Sequence, residues 1–396
     1  MSQSNKQNLN ILFLNHNSGG AATFRRCYFL GEELVKRSHS VTILTTSKNR
    51  KFRNIIKEER DLKVVEFPSL LPGRLRNGVC PWDGLKRLIY LCGKKYDVVH
   101  AFDSRPTVLL PAIWCKYFKK IPLVMDWADW WGRGGTISER SSKLYNMTFG
   151  HIETFLEERS RGMADQSTVI STLLGERLEK LGYNKENITL LLQGSDIKNI
   201  QPQDMFLCRK QIAMDDKHFI VGHLGTLFNQ DADLFFESVS KAGKTIKNIK
   251  IFLIGRHKLD MGKYRKFQDI IIESGEVKDE MLSEYLGACN ILTIPFKASL
   301  ANHGRWPSKL NDYMSAGRPV ISTRVGDIER IFREKGIGLL SEDDPDSFSQ
   351  AIVKLSLDSE ICGEFGLKIR RFAENEISWE KMTDIVENVY NKILEG

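Results

Sequence analysis

None of the seven cysteines (Cys27, Cys80, Cys92, Cys115, Cys208, Cys289 and Cys362) forms a Cys-x-x-Cys pair. That scatter argues against a zinc site and against the disulfide framework of a small secreted domain, and reduced thiols are expected. A long apolar run is also missing. The longest stretch, residues 107–117, already contains Pro111 and Lys116, well short of the roughly 18 apolar residues a spanning helix needs. The first ten residues are polar, so no secretory leader is expected. No Gly-x-Gly-x-x-Gly occurs after the first apolar strand, which weakens any nicotinamide or flavin reading. Low-complexity segments and residue-level repeats are absent as well. The expectation is a cytoplasmic protein, soluble or peripheral on the inner membrane face.

What the chain does have is enough apolar residues, 41% of 396, to fill two or three domain cores. The net charge of +8 is unevenly placed: residues 1–100 carry 18 Lys and Arg against 8 Asp and Glu, a balance of +10. A basic first domain is suited to an anionic membrane surface, and a solvated basic face with no partner explains the same count equally well. No recognition motif accompanies the charge, so nucleic acid is not expected as a partner.

Short apolar runs alternate with amphipathic stretches, the pattern of parallel sheets covered by helices. The predicted strands of the first half are residues 9–15, 41–46, 62–67, 97–102, 122–126, 166–171 and 188–192. Helices are predicted at 23–38 and, as one long amphipathic element, at 138–163. After Gln193-Gly194-Ser195-Asp196 the alternation restarts, with strands predicted at 219–225, 249–254, 269–273, 291–295 and 319–323 and helices near 233–242, 279–288 and 308–316. The predicted fold is α/β, with two Rossmann-like doubly wound domains at 1–197 and 198–378. A helix at 379–396, opened by the capping residue Ser378, is expected to pack back on the first domain.

Three stretches carry candidate chemistry. Asn17-Ser18-Gly19-Gly20 follows the first strand, where glycines let backbone approach a phosphate. Gly225 and Thr226 hold the matching place in the second half. In Pro307-Ser308-Lys309-Leu310-Asn311-Asp312-Tyr313-Met314-Ser315-Ala316-Gly317, Pro307 is expected at the first helical position and Gly317 just past the end. Lys309 and Asp312 then share a face. A cation there can neutralise a diphosphate, and a carboxylate can grip two ribose hydroxyls; taken alone, the pair reads rather as an exposed surface salt bridge, and the surrounding string decides against that.

The string Pro307 to Ile321 resembles the donor-binding signature of family-4 retaining glycosyltransferases, which have the GT-B fold. Further stretches agree in order: Gly19-Gly20, Tyr96 to His100, Ala164-Asp165 through Ser171, Gln193 to Asp196, Gly275-Glu276-Val277 with Tyr285 to Asn290, Pro295-Phe296 and Trp379-Glu380. The resemblance implies two domains facing across a cleft, with the nucleotide-sugar on the second and the acceptor on the first. It also implies transfer with retention of anomeric configuration, no cofactor and no metal. Lys309 and Arg305 are then expected to stabilise the leaving diphosphate. Gly19, Gly20, Gly225, Thr226, Arg256, His303, Gly304, Leu310 and Asp312 are expected at the donor.

The sequence departs from that pattern in three places. Gly304 stands where many members have the first of two acids, Asp312 being the second. The segment Leu227 to Asp233 lacks the usual Arg and Lys. Asp126-Trp127-Ala128-Asp129 carries Ala128 where a His is common. The run Asp126 to Trp131, rich in tryptophan, suggests an acceptor wall made by Asp126, Asp129 and Trp130, with packing an equal alternative. The acceptor, whether glycan, lipid-linked or small molecule, is not specified by the residues. Two competing functions share the expected fold: a non-catalytic partner subunit of an active transferase, and a nucleotide-sugar epimerase or phosphorylase.

Overall fold

A computed structural model of the chain describes residues 8–48, 52–72, 76, 78–139, 146–147 and 149–395. The chain divides into two compact units: Met1–Gln193 with Trp379–Gly396, and Gly194–Ser378.

The first unit is built on an eight-stranded sheet in the order β3-β4-β2-β1-β5-β6-β7-β8. Its strands are β1 (Asn10–Asn15), β2 (Ser40–Thr46), β3 (Ile55–Glu59), β4 (Leu62–Phe67), β5 (Val98–Phe102), β6 (Leu123–Trp127), β7 (Gln166–Val169) and β8 (Ile188–Leu190). All neighbours pair in parallel except β3 with β4. The central strands are buried on both faces, which is why β1 and β5 read as unbroken apolar runs. Leu12, Leu14, Leu44, Val65, Val99, Ala101 and Met125 share one core with Val108 and Ala112 of the helix Pro106–Ile113.

Strand β3 went unpredicted because it lies almost wholly in solvent, so no buried face imposes alternation. It is held instead by its antiparallel register on β4 and by the cross-strand pairs Lys57–Glu66 at 2.6 Å and Lys63–Glu58 at 2.9 Å. Charges on such an edge also discourage pairing with a second molecule.

Of the single long helix expected at 138–163, the described residues show a 3-10 turn at Thr136–Glu139 and the helix Phe149–Ser160, which gives way to a 3-10 turn at Arg161–Met163. Residues 140–145 and 148 of that prediction lie outside the described residues. The last helix, Trp379–Glu395, packs against Ala22–Lys36. Tyr390 Oη sits 2.8 Å from His100 Nδ1, Glu387 takes Arg37 at 2.5 Å and His39 at 3.0 Å, and the Trp379 ring stacks on Phe29.

The second unit carries a six-stranded, all-parallel sheet in the order β11-β10-β9-β12-β13-β14. These strands are β9 (Phe219–Leu224), β10 (Ile249–Ile254), β11 (Ile271–Glu273), β12 (Ile291–Ile294), β13 (Val320–Thr323) and β14 (Leu339–Ser341). The helices Asn229–Ala242 and Pro345–Leu357 cover one face, burying Phe235, Phe236, Val239, Phe348 and Ile352.

Gly222 marks where β9 and β12 come closest to the helix that precedes β12. A Cβ added there would lie 2.4 Å from Cys289 Sγ and 2.8 Å from Leu292 Cδ2. Gly222→Ala is therefore expected to cost about 1–3 kcal/mol by overpacking, read as a drop of several degrees in thermal denaturation.

Each sheet reverses its winding once, between β1 and β5 in the first unit and between β9 and β12 in the second. At such a switch point the loops after neighbouring strands diverge and leave a crevice at their carboxyl ends. The sequence motifs of both halves fall on these loops.

Candidate functional site

In the second unit the loop after β9 turns at Gly225, whose φ of 69° favours glycine. No atom lies within 4 Å of where its Cβ would be. The helix Ser308–Ala316 runs beside this loop; Pro307 sits at its N-cap rather than its first turn, and Gly317 closes it in the left-handed conformation. That helix presents Lys309. The residue is half-buried, but its ammonium reaches inward: Nζ donates to the Thr226 carbonyl at 2.8 Å and lies 2.8 Å from His223 Nε2.

His223 is buried within β9, and its Nδ1 lies 3.0 Å from the Thr293 carbonyl. A carbonyl only accepts, so Nδ1 carries the proton and Nε2 is left to accept from Lys309. Burial first, and Lys309 second, hold the imidazole well below its ordinary pKa, so it stays neutral. Burial likewise pushes the Lys309 ammonium down to about 7, against the opposing pull of Asp231 and Asp312. Asp231 is itself buried and accepts the Lys297 amide at 2.8 Å. Tyr313, also buried, accepts the Leu224 amide on its hydroxyl oxygen at 2.7 Å.

The neighbouring turn follows β12. Arg305 is half-buried, donates to Asn302 Oδ1 at 2.6 Å and lies over the Phe228 ring at 5.2 Å. His303 Nδ1 accepts the Gly326 amide at 2.9 Å, and Gly304 caps the short helix Leu300–His303. Two expectations need correction. Leu310 is completely buried, so its side chain packs in the core and does not face a ligand. Arg256, at the end of β10, is exposed and ion-paired with Glu276, so its charge is already compensated.

In the first unit Gly19 and Gly20 form the turn between β1 and the helix from Ala22, with Gly20 at φ 85°. The tryptophan-rich run departs from expectation. Asp126 has no exposed surface: Arg26 holds both of its oxygens at 3.0 Å and Thr168 donates to it at 2.6 Å. It is a structural anchor inside the sheet and is closed to an acceptor. Trp130 is only 5% exposed, packed beneath the Arg177 guanidinium at 4.9 Å. Asp129 remains exposed, with the Thr23 hydroxyl 3.5 Å away.

Sequence reasoning missed the polar nest beside this run. Asp103 adopts φ 93°, a costly conformation for a non-glycine residue. Its Oδ2 accepts Trp131 Nε1 at 3.0 Å and lies 3.1 Å from His16 Nδ1. Burial opposes ionisation here, yet contact with His16, the Arg105 charge and the Ser104 amide hold the Asp103 carboxyl below its usual range. Glu157 accepts the Trp131 and Gly132 amides at 2.8 and 2.7 Å and Trp127 Nε1 at 3.1 Å; burial nonetheless pushes it up to about 7. Scattered over three loops, the end of β6 and a helix, these residues share no spacing that a linear pattern could reveal.

Comparison with known families agrees with this arrangement. Residues 19–199 match the family described as Glycosyltransferase Family 4, and residues 218–358 match the one described as Glycosyl transferases group 1. The chain belongs to the family-4 type GT-B glycosyltransferases. The two matches fall one on each compact unit and take in both switch-point loops. Part of this glycosyltransferase, 36% of its length, is 26% identical to an uncharacterized glycosyltransferase of Methanocaldococcus jannaschii, of which the match spans 40%. Among solved structures, sucrose-phosphate synthase from Thermosynechococcus elongatus superposes with a TM-score of 0.77 at 15% identity, covering 98% of this chain and 99% of that one. Anabaena HepE in complex with UDP-glucose gives 0.70 at 14% identity over 97% and 100%. WaaG, a glycosyltransferase involved in lipopolysaccharide biosynthesis, gives 0.70 at 15% over 98% and 100%. At such identities the likeness establishes the shared GT-B fold.

Proposed function

We propose that this glycosyltransferase moves a hexose from a nucleoside-diphosphate donor to an acceptor, with retention of anomeric configuration. The observation that carries the reading is the Lys309 amine held between the Thr226 carbonyl and His223 at the β9/β12 switch point. An amine there, half-desolvated and short of counter-charge, is stabilised by an incoming diphosphate. In this reading Lys309 and Arg305 neutralise the departing diphosphate. The Gly225 and Thr226 backbone approaches the phosphates, Asp312 holds the ribose, and His303 and Gly304 line the sugar. The acceptor lies on the first unit, against Asp129 and Trp131. Donors of this chemical class fit the likeness to HepE, whose structure contains UDP-glucose.

The test is thermal denaturation against a panel of UDP-, ADP- and GDP-sugars and the free diphosphates. A ligand at one hundred times its Kd stabilises the folded form by about 2.7 kcal/mol, a shift of roughly 5–10 °C for a unit of this size. One nucleotide class is expected to raise the melting temperature of the wild type and to leave Lys309→Met unmoved. A panel that shifts neither protein would sink the donor assignment. The anomeric outcome is then read by proton NMR of the product; an inverted linkage would refute retention.

A further inference from the structure

At the amino ends of three neighbouring strands of the first unit lies a cleft of about 640 Å³. Its lining comes from the segment that leads into β6, from Asp165 and Gln166 at the start of β7, and from Asn187 just before β8. Lys392 and Ile393 of the last helix complete it. Strands β6, β7 and β8 run in parallel, so the cleft sits at the sheet edge opposite the switch-point loops, roughly 16 Å away along a five-residue strand. Its volume falls in the range of small-molecule sites.

The charges of this cleft do not balance. Three lysines and one acid line it. Asp165 is already satisfied: Lys116 pairs with its Oδ1, and the Leu123 amide donates to its Oδ2 at 2.8 Å. Lys392 donates one ammonium hydrogen to the Glu186 carbonyl and keeps two. Lys120 is exposed and meets no acid among the described residues. Its φ of 57° is costly for a residue with a side chain, a cost that glycine would avoid. The buried polar side chain of the lining is Gln166, only 4% exposed. Its Nε2 donates to Asn187 Oδ1 at 2.9 Å, while its Oε1 is buried with no partner. A buried acceptor left open is destabilising until a donor reaches it. Tyr117, Ile121 and Ile393 add an apolar wall suited to the C–H face of a small ring.

We propose that this cleft is a second ligand site, taking a small phosphate monoester that bears hydroxyls, the class of a phosphorylated sugar. The phosphate sits between Lys120 and Lys392, and a hydroxyl donates to Gln166 Oε1. The charges then match, because two lysines that no acid neutralises meet a group carrying about −2 at pH 7. The bound ester joins the last helix to the starts of β6 and β7. It makes no use of Lys309, Asp129 or Trp131, so the site stands apart from the transfer reading.

The experiment is calorimetric titration of the full chain with glucose-6-phosphate at constant ionic strength, beside glucose and inorganic phosphate. The ester is expected to bind and glucose to give no heat. Inorganic phosphate is expected to bind about tenfold more weakly, lacking the sugar hydroxyl for Gln166. Lys120→Asn/Lys392→Ala is expected to weaken the ester by about tenfold or more. Its melting temperature should be unchanged, since asparagine tolerates the left-handed turn. Lys309→Met and Asp129→Asn should bind the ester as the wild type does. As a second readout, the Gln166 side-chain amide resonance in chain carrying isotope-labelled glutamine, assigned through Gln166→Leu, should move as the ester is added. A wild type that gives no heat, inorganic phosphate that binds equally well, a double variant as tight as the wild type, or a Gln166 amide that stays still would each overturn the inference. So would loss of the ester in Lys309→Met or Asp129→Asn, which would place it in the transfer site instead.

Discussion

Lys309→Met is expected to lower transfer by about two to three orders of magnitude, the usual loss when one preorganised partner of a developing charge is removed. The same residue makes a pH prediction of definite sign. Free enzyme holds the Lys309 ammonium near 7 by burial. A bound diphosphate favours the charged form and raises that value. Near pH 8 the free amine is largely neutral, so donor binding should take up close to one proton. Calorimetry in buffers of different ionisation enthalpy measures this directly. Zero proton uptake in the wild type, or uptake unchanged in Lys309→Met, would refute the placement of the diphosphate at this amine. Stability carries the companion sign. Between about 7 and the unfolded lysine value near 10.4, the unfolded chain binds the proton that the folded chain has lost. The contribution of Lys309 to stability therefore rises with pH across that window in the absence of ligand.

Arg26→Ala is expected to damage the fold more than any active-site change. Arg26 is 1% exposed and holds both Asp126 oxygens through Nε and Nη2, while Nη2 also donates to the Leu191 carbonyl at 2.8 Å and Nη1 to the Leu192 carbonyl at 2.9 Å. Removing it strands a fully buried carboxylate at the centre of the sheet. Breaking a buried pair this way costs about 3–5 kcal/mol, on the order of 10 °C in the melting of the first unit. Arg26→Ala/Asp126→Ala should recover part of that loss, because no lone charge remains. A single variant as stable as the wild type would show that water reaches Asp126. Asp129→Asn, by contrast, alters an exposed side chain and should leave stability unchanged.

The contrast between Asp126 and Asp129 shows how far linear pattern reaches. The strand β6 was legible from its apolar run, and the run of tryptophans after it was correctly noticed as unusual. Which of the two acids pointed inward was not legible, because the partner that buries Asp126 is Arg26, a hundred positions away. The same holds for Lys309. Its helix and its closing Gly317 follow from local spacing; its proximity to the Gly225 loop is what the family resemblance implies. The histidine that positions its amine lies 86 residues earlier, in a strand whose sequence gives no hint that one side chain inside it would be turned towards a lysine. Leu310 is adjacent to Lys309 along the motif, but the helical turn of about 100° per residue rotates it away from Lys309 and into the core.

Local physics written in the residues determined the alternation of strands and helices, the mainly parallel sheets and the closed 308–316 helix, since each depends on side-chain periodicity and on neighbours a few positions apart; the family follows from the resemblance of the string Pro307 to Ile321. Tertiary structure alone decided which charged groups are drawn inward and which reach the surface: Asp126, locked on Arg26, against exposed Asp129, and Lys309, whose amine is drawn in to His223, against exposed Arg256. Ionisation and reactivity are set by burial and by partners distant in the chain, and those exist only after the sheets have assembled.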